Sequence, residues 1–125
     1  MKILIVEDEE VLAKVLREKF ENEGFQVELA IDGEMVMSMA KKIKPDMILL
    51  DLLLPKKLGI EVLKEIKSDV ELKTTKVLIL SNLDDDQNIK NALTLGAVDY
   101  FVKTQHPLKE IVEKVKGHLL ASGVK

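Results

Sequence analysis

The sequence contains no cysteine, which excludes disulfide frameworks, thiolate zinc sites and thiol nucleophiles. Aromatic residues are scarce, with three phenylalanines, one tyrosine and no tryptophan, and Arg17 is the only arginine. Nucleic-acid binding draws on a basic face and often on stacking rings. A formal net charge of −3 over 125 residues therefore argues against direct contact with nucleic acid. Long apolar runs are missing too. The longest strongly apolar stretch, 47–54, is interrupted by Asp51 and is far too short to span a bilayer. No secretory leader opens the chain, because residues 3–6 run straight into Glu7, Asp8, Glu9 and Glu10. These absences imply a cytoplasmic protein without membrane contact. What is present is a globular balance, 46% hydrophobic against 33% charged, in a length suited to one domain.

Short apolar runs alternate with segments of helical period along the whole chain. Residues 3–6, 47–50 and 77–80 are continuously apolar, as parallel strands buried on both faces require. Residues 25–30 and 98–102 are mixed in polarity and read as two further strands, the first near a sheet edge. Val11, Leu12, Val15, Leu16 and Phe20 form one helical stripe, and Met35, Val36, Met39 and Ala40 a second. Val62, Leu63 and Ile66 continue the pattern, followed by Ile89, Ala92 and Leu93, then Ile111, Val112, Val115 and Leu119. Gly24 and Gly96 stand where helices should end, Pro45 follows a helix and Pro107 opens the last one. The expected elements are β1 at 2–6, α1 at 9–22, β2 at 25–30, α2 at 33–43 and β3 at 47–51. Then come α3 at 58–68, β4 at 76–81, α4 at 86–95, β5 at 98–102 and α5 at 107–121. Strict alternation implies a doubly wound α/β fold, a parallel sheet with right-handed crossovers and helices on both faces.

In such a sheet, ligands bind outside the carboxyl ends of the strands. Glu7 and Asp8 follow β1, Asp51 ends β3, Ser81 ends β4, and Lys103 lies just beyond β5. Three acids, one hydroxyl and one ammonium thus converge on one rim. Clustered carboxylates repel one another, and burial adds to the cost. A hard divalent cation such as Mg²⁺ suits carboxylates, a backbone carbonyl and waters. Three carboxylates, one Mg²⁺ and the Lys103 ammonium leave the site neutral. Glu9 and Glu10 read differently, as acids favoured at a helix N-terminus. Asp84, Asp85 and Asp86 read as the cap and first turn of α4. His106 and His118, at the start of α5 or within it, have no partner in the motif set.

The stretches Ile3-Leu4-Ile5-Val6-Glu7-Asp8-Glu9 and Asp51-Leu52-Leu53-Leu54-Pro55 with Gly59 carry a recognisable pattern. Ser81 and the run Gly96-Ala97-Val98-Asp99-Tyr100-Phe101-Val102-Lys103 complete it, in order and at matching spacing. On these residues the chain resembles the receiver domain of response regulators, the phosphoacceptor module of two-component signalling, in the manner of chemotaxis regulators. The resemblance implies a flavodoxin-like sheet of order 2-1-3-4-5, with the receiver over 1–121 and a flexible tail at 122–125. It implies that Asp51 accepts a phosphoryl group from a phosphohistidine on a sensor histidine kinase or histidine phosphotransfer protein. Mg²⁺ would be held by Asp8, Asp51 and the Leu53 carbonyl, with Glu7 acting through a metal-bound water. Ser81 and Lys103 would contact the phosphoryl oxygens, and Tyr100 falls at the aromatic switch position. Phosphorylation replaces one negative charge by about two, which gives Ser81 and Lys103 a reason to move. Such a protein promotes its own phosphorylation and dephosphorylation without being a turnover enzyme. Its signal would leave through the α4-β5-α5 face to a downstream protein.

The pattern is departed from in places. Asn82 replaces the small residue usual after the switch hydroxyl, Lys57-Leu58 replaces Met-Asp/Asn before Gly59, and Thr104 replaces the proline after the lysine, putting the family's cis peptide there in question. Leu53 and Leu83 hold two variable positions that influence attack by water, and two leucines imply a long-lived phosphorylated form. Val98, and an α5 without arginine, speak against the dimer common in DNA-binding members. Two other functions compete. A flavodoxin-like nucleotide or flavin site is opposed by four consecutive acids where a glycine-rich phosphate loop belongs. A phosphorylation-independent adaptor is opposed by the intact acceptor, metal and lysine positions.

Overall fold

The computed structural model describes residues 1–123, with side chains through residue 120. Strands and helices alternate as β1 Lys2–Val6, α1 Glu10–Asn22, β2 Gln26–Ala30, α2 Val36–Ile43, β3 Met47–Leu50, α3 Gly59–Ser68, β4 Lys76–Ser81, α4 Asp86–Thr94, β5 Asp99–Val102 and α5 Leu108–Gly123. All strand pairs are parallel, in the order β2-β1-β3-β4-β5. The mixed-polarity strand β2 is an edge strand, as its composition requires.

Alternation along the strands divides the core in two. Ile3, Ile5, Met47, Leu49, Leu78 and Leu80 face α1 and α5, where Leu16, Phe20, Ile111, Val115 and Leu119 meet them. Leu4, Val6, Ile48, Leu50, Val77 and Ile79 face the other way, onto Val36 and Ala40 of α2, Val62, Leu63 and Ile66 of α3, and Ala92 of α4. The continuously apolar strands therefore have no solvent face. Their carboxyl ends are left as the place where polar groups can gather without breaching either core.

Element ends follow local chemistry. Gly24 and Gly96 carry φ of 96° and 114° just past α1 and α4, the left-handed region in which a side chain is strained. Asp85 caps α4 by accepting from the Asn88 amide at 3.2 Å, as the run of three aspartates predicts. The segment expected as a single α2 begins instead with a 3-10 turn, Gly33–Met35. There Asp32 Oδ1 accepts from the amides of Glu34 at 2.9 Å and Met35 at 3.1 Å. Two stripe residues face water: Val11 is 77% and Leu93 44% exposed. Ala13 takes the buried place on α1, and Leu72, in the connection between α3 and β4, is buried without any periodic signal. No cis peptide occurs among the described residues, so the Lys103–Thr104 bond is trans. Helix α5 runs to Gly123, through two residues expected in a tail; Val124 and Lys125 lie outside the described residues.

Candidate functional site

Backbone hydrogen bonds carry the sheet's ladder one residue beyond three strands. The Glu7 amide donates to Ala30 O at 3.0 Å, the Asp51 amide to Val6 O at 3.2 Å, and the Lys103 amide to Ser81 O at 2.9 Å. These bonds set Glu7, Asp51 and Lys103 side by side at the rim, although their codes are far apart in the chain. A carboxylate oxygen from each of Glu7, Asp8 and Asp51 lies within 4.8 Å of the others. Glu7 and Asp51 are buried, while Asp8 is exposed and opens the cluster to solvent.

Lys103 Nζ stands 2.7 Å from Glu7 Oε1 and 2.8 Å from Asp51 Oδ2, with Glu9 Oε1 further off at 3.8 Å. Each buried acid has a second donor: the Leu53 amide reaches Asp51 Oδ1 at 3.0 Å and the Glu9 amide reaches Glu7 Oε2 at 3.0 Å. Burial pushes the Glu7 carboxyl above the usual glutamate range, against the opposing pull of Lys103. Burial also works against the Lys103 ammonium, but its pairs with Asp51 and Glu7 win and hold it above the usual lysine range. Three carboxylates against one ammonium leave two uncompensated negative charges. Oxygen donors of this kind, with that deficit, fit a hard divalent cation such as Mg²⁺.

Ser81 is fully buried at the end of β4, and its Oγ accepts from the Leu83 amide at 3.4 Å. Tyr100 donates its hydroxyl to the Leu83 carbonyl at 2.6 Å. The phenol is held above its ordinary range, chiefly by burial and then by Asp85. Glu7, Asp8, Asp51, Ser81 and Lys103 thus lie at or just beyond the carboxyl ends of their strands, while Tyr100 sits within β5, paired with Ile79, and meets Ser81 through Leu83.

Some partners were not legible. His118 does have one in the motif stretch: its Nε2 lies 2.9 Å from Asp99 Oδ2. The sequence hides this because the residues lie on separate elements. His106 pairs with Glu110 at 3.0 Å and meets the Phe101 ring edge-on. Asp32, buried beyond the end of β2, lies outside the motif set, although an acid at a strand end is the same signal that marks Asp51.

A family model, the response regulator receiver domain, matches residues 3–116. The chain belongs to that family. It is 37% identical over 123 residues to the alkaline phosphatase synthesis transcriptional regulatory protein PhoP of Bacillus subtilis, covering 98% of this chain and 50% of that protein. The chain spans about half the length of the curated relatives it matches. Its structure resembles a two-component response regulator from Clostridium difficile with a TM-score of 0.91 and 27% identity, over 99% of both chains. It also resembles the BeF3-activated N-terminal receiver domain of Klebsiella pneumoniae RstA, with a TM-score of 0.88 and 26% identity, over 95% of this chain and 98% of that one. These curated relatives are transcriptional regulatory proteins by name. No helix among the described residues is long and apolar enough to cross a membrane.

Proposed function

We propose that Asp51 is the phosphoacceptor of a Mg²⁺-dependent switch. The donor is a phosphohistidine on a sensor histidine kinase or histidine phosphotransfer protein, the setting is the cytoplasm, and the output is a changed α4-β5-α5 face read by a downstream protein. One observation carries the reading: a buried carboxylate, held by one amide and one ammonium, shares its pocket with two further acids. A structural acid would not be placed where repulsion is greatest.

Asp8, Asp51 and the Leu53 carbonyl would hold Mg²⁺, with Glu7 acting through water. Bound there, the cation supplies neutralisation of charge on the transferred group. An Asp51 carboxylate oxygen attacks phosphorus, the phosphorus–nitrogen bond breaks, and the imidazole leaves with its electron pair. Lys103 already touches Asp51, so its ammonium follows the growing charge without crossing the site. Ser81 holds a hydroxyl at the neighbouring strand end and can donate to a phosphoryl oxygen. That movement would disturb the Leu83 amide on Ser81 Oγ, and with it the Leu83 carbonyl that holds Tyr100. The half-buried phenol is then the link from the acid cluster to the α4-β5-α5 face.

Phosphoramidate, whose phosphorus–nitrogen bond imitates phosphohistidine, tests the donor chemistry and the output together. With Mg²⁺ present, amide NMR signals over α4, β5 and α5 should shift in step with modification. Modification without any shift on that face would remove the proposed output, and no modification would favour the phosphorylation-independent adaptor.

A further inference from the structure

The loop between β3 and α3 carries Leu53, whose amide orients the Asp51 carboxylate, and it is braced from outside the acid cluster. Lys56 in that loop has φ of 69° without being glycine, a conformation that persists only where its surroundings hold it. Besides a bond within the loop, the holding contacts come from the residues that follow β2. The Gly33 amide donates to Pro55 O at 3.2 Å, and the same carbonyl accepts from the Lys57 amide at 2.8 Å. Lys56 Nζ lies 3.6 Å from Asp32 Oδ2. The other oxygen of Asp32 is committed to the Glu34 and Met35 amides, so this carboxylate, only 7% exposed, anchors one loop while facing the other. The loops approach so closely that a Cβ at Gly33 would overlap the Lys57 carbonyl oxygen and come within 2.7 Å of Lys57 Cβ.

We propose that Asp32 and Gly33 are positioning residues for the divalent-cation site, bracing the loop at Pro55 and Lys56 so that Leu53 and Asp51 keep their mutual geometry. The inference rests on the receiver reading above. Neither residue belongs to the acid cluster, and neither would touch the cation. Their effect passes along the four residues from Leu53 to Lys56. The Lys56 ammonium, largely exposed, contributes little by itself; the steric fit at Gly33 and the anchoring of Asp32 carry the brace. Groups that orient a metal's ligands from outside typically change affinity by about 10–100-fold when removed.

The test is Mg²⁺ affinity by calorimetry on the folded chain, for wild type, Gly33→Ala, Asp32→Ala and Gly96→Ala. The last variant strains a left-handed glycine remote from the site and reports what general destabilisation does to affinity. Circular dichroism selects a temperature at which each variant is folded, and Asp32→Ala, which adds no steric clash, serves if Gly33→Ala does not fold. The brace predicts about a tenfold weaker Kd in Gly33→Ala and in Asp32→Ala, with Gly96→Ala within twofold of wild type. Affinities within twofold of wild type in both loop variants would overturn the brace, as would an equal loss in Gly96→Ala. Failure of the wild type itself to bind Mg²⁺ would instead overturn the proposed Mg²⁺-dependent switch on which it rests.

Discussion

Lys103 answers two buried carboxylates with one ammonium, and this economy defines the site's chemistry. A pair of acids in low dielectric is tolerable only when compensated, and a single lysine leaves the cluster wanting positive charge. In the proposed switch Asp8, the exposed member, would be the route by which a cation meets that want. Around Asp51 the side chains turn apolar. Leu53 is about half exposed and Leu83 partly buried, and neither offers a hydrogen bond from its side chain to an attacking water. Leu53→Asn with Leu83→Glu should therefore lose phosphate faster than wild type, by about tenfold, a barrier change of roughly 1.4 kcal/mol. Decay of the phosphorylated form, followed after removal of donor, gives the answer. An unchanged or slower decay in the double variant would end the idea that the leucines exclude water.

At the scale of elements, α3 starts under a steric constraint set by Asp51 and Leu52. A Cβ on Gly59 would overlap the Asp51 carbonyl oxygen and come within 2.5 Å of Leu52 Cα, and both are backbone atoms that cannot swing aside. Gly59→Ala should cost about 1–3 kcal/mol of stability, read as a lower urea midpoint; an unchanged midpoint would show that the loop yields. Lys41 on α2 and Asp69 after α3 form a second tie, 3.0 Å apart. The lysine's hydrogen bond holds the Asp69 carboxyl below the usual aspartate range, helped by the amides of Glu71 and Leu72. A depressed carboxyl stabilises the fold above its unfolded pKa and loses that contribution as pH falls through the folded value. The tie therefore operates at neutral pH and fades in acid, below the ordinary aspartate range. Lys41→Met should raise the Asp69 midpoint part of the way to normal, because the two amides remain. Carboxyl NMR titration checks this, and an unmoved midpoint would assign the whole depression to the amides.

Over the whole molecule, the alternation of apolar runs and helical stripes makes the architecture legible in the sequence. β1 and β4 match their expected bounds, and the other elements differ at one end or both by a residue or two, except that α2 starts three residues late. The strand-end acids were legible because a ladder of parallel strands delivers its last residues to one rim. What escaped was the contact between loops. Asp32 against Lys56, and His118 against Asp99, join elements whose distance is set by the packed sheet, and no spacing in the chain encodes it. Val11 and Leu93 misled for a related reason: a periodic stripe fixes a helix's apolar side, but the neighbours it meets decide how far around that side is covered. Two cores on either side of the sheet leave the rim as an edge where charge can change without disturbing packing, which suits the proposed covalent switch.

The most direct test of the account is intact-mass measurement after incubation with acetyl phosphate, with and without Mg²⁺, on wild type and Asp51→Asn. The account predicts one added phosphoryl group in wild type with Mg²⁺, none without the cation, and none in the variant. Modification that persists in Asp51→Asn, or that proceeds equally without Mg²⁺, would contradict it.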